Sequence, residues 1–214
     1  MDIEELVART AVAGLYLVQS FYEREGSRDW NVDLGTGQLS FTGGGTYAVE
    51  LLGTTADADQ TFQWAWANPS AAPGRFGLAD AVRDFGVQHA VHPLDQDRFT
   101  APAPLPLALT CVGLALSGAN AGFTPKTDSG NACFLVRLPE PLAPPDLVQL
   151  ATLISGVVAA FAVPHRLVVL GAGEAWEWPV EPQGDVLVLR HPEGDLRATF
   201  DPSGRLEEMS TTLG

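Results

Sequence analysis

The sequence predicts an α+β fold: twisted antiparallel sheet, in one or two pieces, with helices packed on one face. Three observations lead there. A long amphipathic stripe opens the chain, runs of alternating apolar residues follow it and return at the end, and two apolar segments of helix length lie between. At 214 residues the chain suits a single domain, within which two helix-plus-meander lobes can be drawn at 1–94 and 105–214.

The first helix is bounded by Asp2, a capping residue, and by Gly26, which stops it, while Glu4 and Glu5 suit the positive end of its dipole. Ile3, Leu6, Val7, Thr10, Leu17 and Phe21 give it a wide apolar stripe that must pack on something. Strands come next. Trp30, Val32 and Leu34 alternate with Asn31 and Asp33. Leu39 and Phe41 resume after Gly35-Thr36-Gly37, and Tyr47, Val49 and Leu51 follow Gly43-Gly44-Gly45. After a polar loop at 54–60, Phe62, Trp64 and Trp66 share one strand face, opposite Gln63, Ala65 and Ala67. The four strands read as an antiparallel meander that ends at Asn68-Pro69, where a ladder cannot continue.

A helix is predicted over Phe76–Phe85 with Gly86 as its stop, and a buried helix over Leu105–Leu116 behind a proline-rich segment. Phe123 and Ala132–Leu138 read as strands around a turn at Thr127–Gly130. Pro144-Pro145-Asp146 opens an apolar helix that ends near Val163. The remainder reads as β: Arg166–Leu170, Ala175–Val180, Asp185–Arg190, Leu196–Phe200 and Arg205–Met209, with a turn at Gly171-Ala172-Gly173 among others. Helix-then-meander therefore occurs at both ends, and Trp30/Val32 and Trp178/Val180 open similar stretches. The residue identity is thin, and coincidence is the preferred reading over duplication, because helix-plus-meander is a common unit.

Composition narrows the function. With 46% hydrophobic and 18% charged residues, a packed core is expected rather than disorder. The formal charge of -14 excludes a nucleic-acid partner, which needs clustered lysine and arginine, and disfavours anionic membrane surfaces. Lys126 is the only lysine, and an arginine-, alanine-, glycine- and proline-rich chain suggests a GC-rich bacterial genome. The acidic start, Met1 to Glu5, lacks the positive charge of a signal peptide, so a cytoplasmic protein is expected. Cys111 and Cys133 lack Cys-x-x-Cys spacing and are read as reduced and buried. The apolar run Leu147–Val163 contains Gln149, Thr152 and Ser155 and is read as a buried helix, not a membrane span.

The segment Phe62-Gln63-Trp64-Ala65-Trp66-Ala67-Asn68-Pro69-Ser70 stands out, with Trp30-Asn31-Val32-Asp33-Leu34 before it and the Phe76–Gly86 helix after it. In these residues the chain resembles a bacterial domain family of unknown function, number 6882, which has a Trp-x-Trp-Ala-Asn-Pro strand ending. The resemblance covers residues 1–90 well and the rest loosely. It implies an α+β fold and brings no catalytic residues; Phe62 stands where the family often has tryptophan.

Trp64, Trp66 and Asn68 are the candidate binding residues. Two indoles on one strand face can wall a pocket, with the Asn68 amide as a polar anchor. The plainer reading, and the preferred one, is that the rings fill the core and Asn68 satisfies backbone at a corner. His89 and His92 with Asp95 and Asp97 invite a metal reading, but Gly86 and Pro93 place them in a loop without a second set of ligands, and no metal is assigned. Leu170-Gly171-Ala172-Gly173 resembles the start of a dinucleotide turn but is followed by Trp176 and Pro179, so no phosphate-binding helix is expected and no cofactor is assigned. Asp128-Ser129-Gly130 is a turn without the flanking glycine of a nucleophile elbow. Glu207 and Glu208 belong to a solvated acidic face.

Two readings of function follow. The first is a non-enzymatic binding protein of the immunity or antitoxin kind, whose acidity steers it to a basic protein partner. The second is a small-molecule or enzymatic pocket around Trp64, Trp66 and Asn68. No catalytic residue is named, and the sequence is silent on oligomeric state.

Overall fold

The computed structural model describes residues 1–26, 28–68 and 76–214. Five α-helices and two antiparallel sheets among them make the fold α+β. The chain divides into two compact units, Met1–Tyr16 with Ala143–Gly214, and Leu17–Leu142. The divisions fall inside the first helix and after Leu142.

Helix α1 (Ile3–Glu25) belongs to both units. Asp2 caps it, its Oδ1 accepting from the Glu5 N–H at 2.8 Å, and Gly26 ends it at φ +65°. Its apolar stripe gives Ala8 and Val12 to the core of the first unit and Val18 and Phe21 to that of the second.

In the Leu17–Leu142 unit, β1 (Trp30–Asp33), β2 (Gln38–Phe41), β3 (Thr46–Ala56), β4 (Thr61–Trp64), β5 (Arg98–Thr100), β6 (Ala121–Phe123) and β7 (Ala132–Arg137) form a seven-stranded sheet. Successive pairing of β1 to β4 follows the expected order, but the result is more than a meander. Ala48 pairs with both Gln38 and Arg137, and Gly53 with both Trp64 and Cys133, so β2 and β4 share one edge of β3 while β7 lies along the other. β3 also continues through Thr54 to Ala56, where a loop is expected from the sequence, because pairing with β4 and β7 recruits its β-branched threonines.

Two helices cover this sheet. α2 (Gly77–His89) runs past Gly86, correcting the expected stop; Ala90, in the left-handed region at φ 51°, caps it and donates to the Gly86 carbonyl. Gly86 serves close approach instead: a Cβ there would lie 2.5 Å from the Cβ of Leu94. α3 (Leu105–Ser117) is apolar all round and buried continuously from Ala108 to Leu114, because it touches β3, β6, β7 and α2. Phe21 packs edge-on against Phe41, Tyr47 and Phe123 at 5.3–5.9 Å. Glu25, 4% exposed, accepts from the Tyr47 hydroxyl and from the Gly45 N–H, which ties the end of α1 to the β2–β3 turn.

The other unit holds α4 (Leu147–Ala160), α5 (His165–Ala175) and a four-stranded meander of β8 (Val180–Gln183), β9 (Val186–His191), β10 (Gly194–Phe200) and β11 (Leu206–Leu213). Asp146 starts α4 with a capping box, accepting from the Gln149 N–H at 2.7 Å while its own N–H donates to Gln149 Oε1 at 3.1 Å. Only a stripe of α4 is buried, Leu147, Leu150, Leu153, Ile154 and Val157, whereas Val148 is 67% exposed. Among the described residues no helix is long and apolar enough to cross a membrane.

α5 overturns two expected strands, Arg166–Leu170 and Ala175–Val180, and the turn between them. Gly171 and Gly173 lie inside the helix, where a Cβ on Gly171 would collide with the Arg9 backbone and one on Gly173 would meet the Trp178 carbonyl at 2.8 Å. These glycines let α5 sit flat against its neighbours. The meander turns its Leu187, Leu189, Leu196, Ala198 and Phe200 side chains into the core. On the opposite face Arg190 bridges Glu181 and Asp195 at 2.5 Å each.

Candidate functional site

The residues singled out from the sequence meet at the end of β4, and the structure separates them. Trp64 is the last strand residue and has no exposed surface. Its ring lies edge-on to Phe62 at 4.8 Å and tilted to Phe99 at 6.2 Å, and its indole N–H donates to the Pro93 carbonyl at 3.2 Å. Its backbone N–H donates to the Asp97 carbonyl at 3.3 Å. Trp64 is therefore a core residue that the Val91–Asp97 segment closes over, and a buried indole finds the partner that such burial requires.

Trp66 does not share its face. The chain leaves the strand after Trp64 and enters a single 3-10 turn, Ala65–Ala67, so the two-residue alternation expected through Trp66 breaks there. The Asn68 N–H closes the turn on the Ala65 carbonyl at 3.1 Å, and Gln63 Nε2 donates to the Ala67 carbonyl at 3.4 Å. Pro69 lies outside the described residues. Turned out of the sheet, the half-buried Trp66 ring receives the guanidinium of Arg83, from the middle of α2, at 4.5 Å from its centroid. Its Nε1 is buried and has no hydrogen-bond partner among the described residues. A buried donor left without an acceptor costs about 1–3 kcal/mol. Trp66 and Arg83 thus form a corner beside Asn68 in which the Trp66 indole N–H has no acceptor among the described residues. Sequence reading missed Arg83, which lies 17 residues beyond Trp66 on another element; only the packing of α2 on the 3-10 turn brings it there.

The histidines do not assemble a metal centre. His89 ends α2 against the Phe85 ring at 4.4 Å, whereas His92 Nδ1 pairs with Asp95 Oδ1 at 2.6 Å in the following turn. Among the described residues no three metal-ligating side chains gather. Nor is the start of α2 an open anion site, because the Glu50 carboxylate accepts from the Leu78 N–H at 3.0 Å and occupies it. Thr127–Gly130 is a plain turn closed by the Thr127 N–H on the Gly130 carbonyl at 2.7 Å. Burial pushes the thiols of Cys111 and Cys133 up to about 12 and about 11, so both are chemically quiet at neutral pH. Glu207 and Glu208 are exposed on the edge strand β11.

The family model for a family of unknown function, DUF6882, matches residues 4–139 of this chain, more than half of it. No curated protein and no solved structure matches.

Proposed function

We propose that this protein, which belongs to the DUF6882 family, is a cytoplasmic binding protein without catalytic activity, and that it holds a basic protein partner as immunity or antitoxin proteins do. The observation that carries this reading is how the charges are disposed. The Met1–Tyr16 plus Ala143–Gly214 unit holds thirteen acids against five bases, net -8, and the Leu17–Leu142 unit thirteen against seven, net -6. Several of the bases lean on the protein's own groups: Arg98 on Asp59, Lys126 on Asp57, Arg190 on Glu181 and Asp195, Arg83 on the Trp66 ring. Meanwhile Glu23, Asp84, Asp128, Glu177, Glu207 and Glu208 are exposed with no ion pair among the described residues. Such a surface attracts a cationic protein from a distance and repels nucleic acid.

The experiment is affinity capture from a lysate of the native host at low salt, beside an unrelated acidic protein of similar charge. One basic protein retained by this chain alone supports the reading. Recovery of the same proteins on both supports would end it.

One observation favours the second reading, a small-molecule or enzymatic pocket at Trp64, Trp66 and Asn68. The Trp66 Nε1 donor, without an acceptor among the described residues, suits a ligand acceptor. In that arrangement Trp66 and Asn68 line the site and Trp64 backs it from the core. A metabolite screen by thermal unfolding tests it: a ligand at a hundredfold over its Kd adds about 2.7 kcal/mol, and Trp66→Leu must remove that gain while leaving the fold intact.

A further inference from the structure

A second opening lies elsewhere in the Leu17–Leu142 unit, between the end of α1, the start of β1 and the end of β6. It is an open cleft of about 440 Å³, lined in part by Tyr22, Arg28, Asp29, Trp30, Phe123 and Lys126. We infer that this cleft binds a small planar aromatic monoanion, its ring among Tyr22, Trp30 and Phe123 and its carboxylate on Arg28 and Lys126.

The aromatic wall is preformed. Phe123 is 4% exposed and anchors the group in the core, with Trp30 edge-on at 5.5 Å and Tyr22 tilted at 5.3 Å. Trp30 and Tyr22 are only half-buried, so each keeps ring surface for a ligand. Trp30 is braced from behind by Phe134 at 6.4 Å. Flat rings prefer tilted or edge-on partners of this kind, and a cleft of this volume takes one or two fused rings. The Tyr22 oxygen accepts from the Thr124 N–H at 3.2 Å, and burial holds its phenol above the ordinary range, which leaves the hydroxyl proton to donate.

The charge here runs against that of the protein. In a chain of net charge -14, the cleft gathers its only lysine and an arginine beside one carboxylate, Asp29. Arg28 and Lys126 share the lining with one carboxylate, Asp29, and each is also paired with one outside it, Glu25 and Asp57, so the cleft suits a single carboxylate and not a polyphosphate. Both cations are available. Lys126 pairs with Asp57 at 2.5 Å, but the two side chains are 61% and 54% exposed, and a pair so open to solvent is weak and easily exchanged for a ligand carboxylate. Arg28 makes its hydrogen bonds to the Arg24 and Glu25 carbonyls and the Glu25 carboxylate from Nη1 alone. Its Nε and Nη2 have no partner among the described residues, and together they match a carboxylate.

Calorimetric titration of the full chain with 2-naphthoate, beside its neutral counterpart 2-naphthamide, tests this. The expected result is saturable one-to-one binding of the acid, at least tenfold weaker binding of the amide, and a loss of about tenfold on Lys126→Met. Trp30→Leu removes binding; should that variant fail to fold, the exposed Lys126 still gives the answer. No saturable heat with the acid, equal affinity for acid and amide, or an affinity unmoved by Lys126→Met would each overturn the proposal.

Discussion

Gly171 of α5 rests directly on the backbone of Arg9 in α1, so closely that a methyl group would collide with the Arg9 carbonyl. In the same unit Gly156 of α4 has open space where its Cβ would be. The two glycines therefore answer oppositely to one substitution. Gly171→Ala destabilises by about 1–3 kcal/mol through overpacking, despite alanine's better helix propensity. Gly156→Ala, free of that clash, stabilises by about 0.5–1 kcal/mol. Urea unfolding of both variants checks the pair, and a gain at Gly171 would show that α5 does not lie on α1 as described.

Trp64 and Trp66 are two residues apart and unequal. Trp64→Ala removes a fully buried ring with its hydrogen bond to Pro93 and costs about 3–5 kcal/mol. Trp66→Ala loses a half-buried ring whose N–H has no acceptor among the described residues, and costs roughly half as much. Thermal and urea unfolding with intrinsic fluorescence distinguish them. Equal losses would place both rings in the core.

Both thiols are held neutral by burial, well above their ordinary value of 9.0. A raised folded value means that the stabilisation is complete below pH 9 and is lost as pH rises toward about 11 and about 12, because the unfolded chain ionises first. Stability therefore falls above pH 9, by at most about 1.4 kcal/mol per pH unit for each thiol. In native buffer at pH 8 neither cysteine reacts with a disulfide reagent, and in denaturant both do. Rapid reaction of the native protein would contradict the burial of Cys111 and Cys133.

Much of this fold was legible where local chemistry and tertiary packing agree. Asp2 and Gly26 bracket α1, Asp146 and Gln149 start α4, and period-two alternation marks β1, β2 and the first half of β3. Legibility failed at glycines. Gly86, Gly171 and Gly173 look like punctuation, yet each lies within a helix at a point of close approach, and that approach is set by residues outside the helix: Leu94, Arg9 and Trp178. The β-branched run in α5 compounded the error, since Leu167-Val168-Val169-Leu170 suits a strand equally well. The pairing of β7 with β3 joins residues more than 75 apart and leaves no local trace. At the candidate site, alternation predicted one face for Trp64 and Trp66, and a 3-10 turn, fixed by packing against α2, put them on different ones. The Arg28 and Lys126 cleft was invisible for the same reason: its cations are 98 residues apart.

The proposed selection of a basic protein partner by surface acidity is tested by the affinity of the captured protein for this chain as a function of salt. Kd is expected to weaken at least tenfold between about 0.05 and about 0.5 M sodium chloride, mostly through a slower association rate, as screening shortens the reach of the surface charge. A Kd that does not move with salt, or a captured partner that is itself acidic, would contradict it.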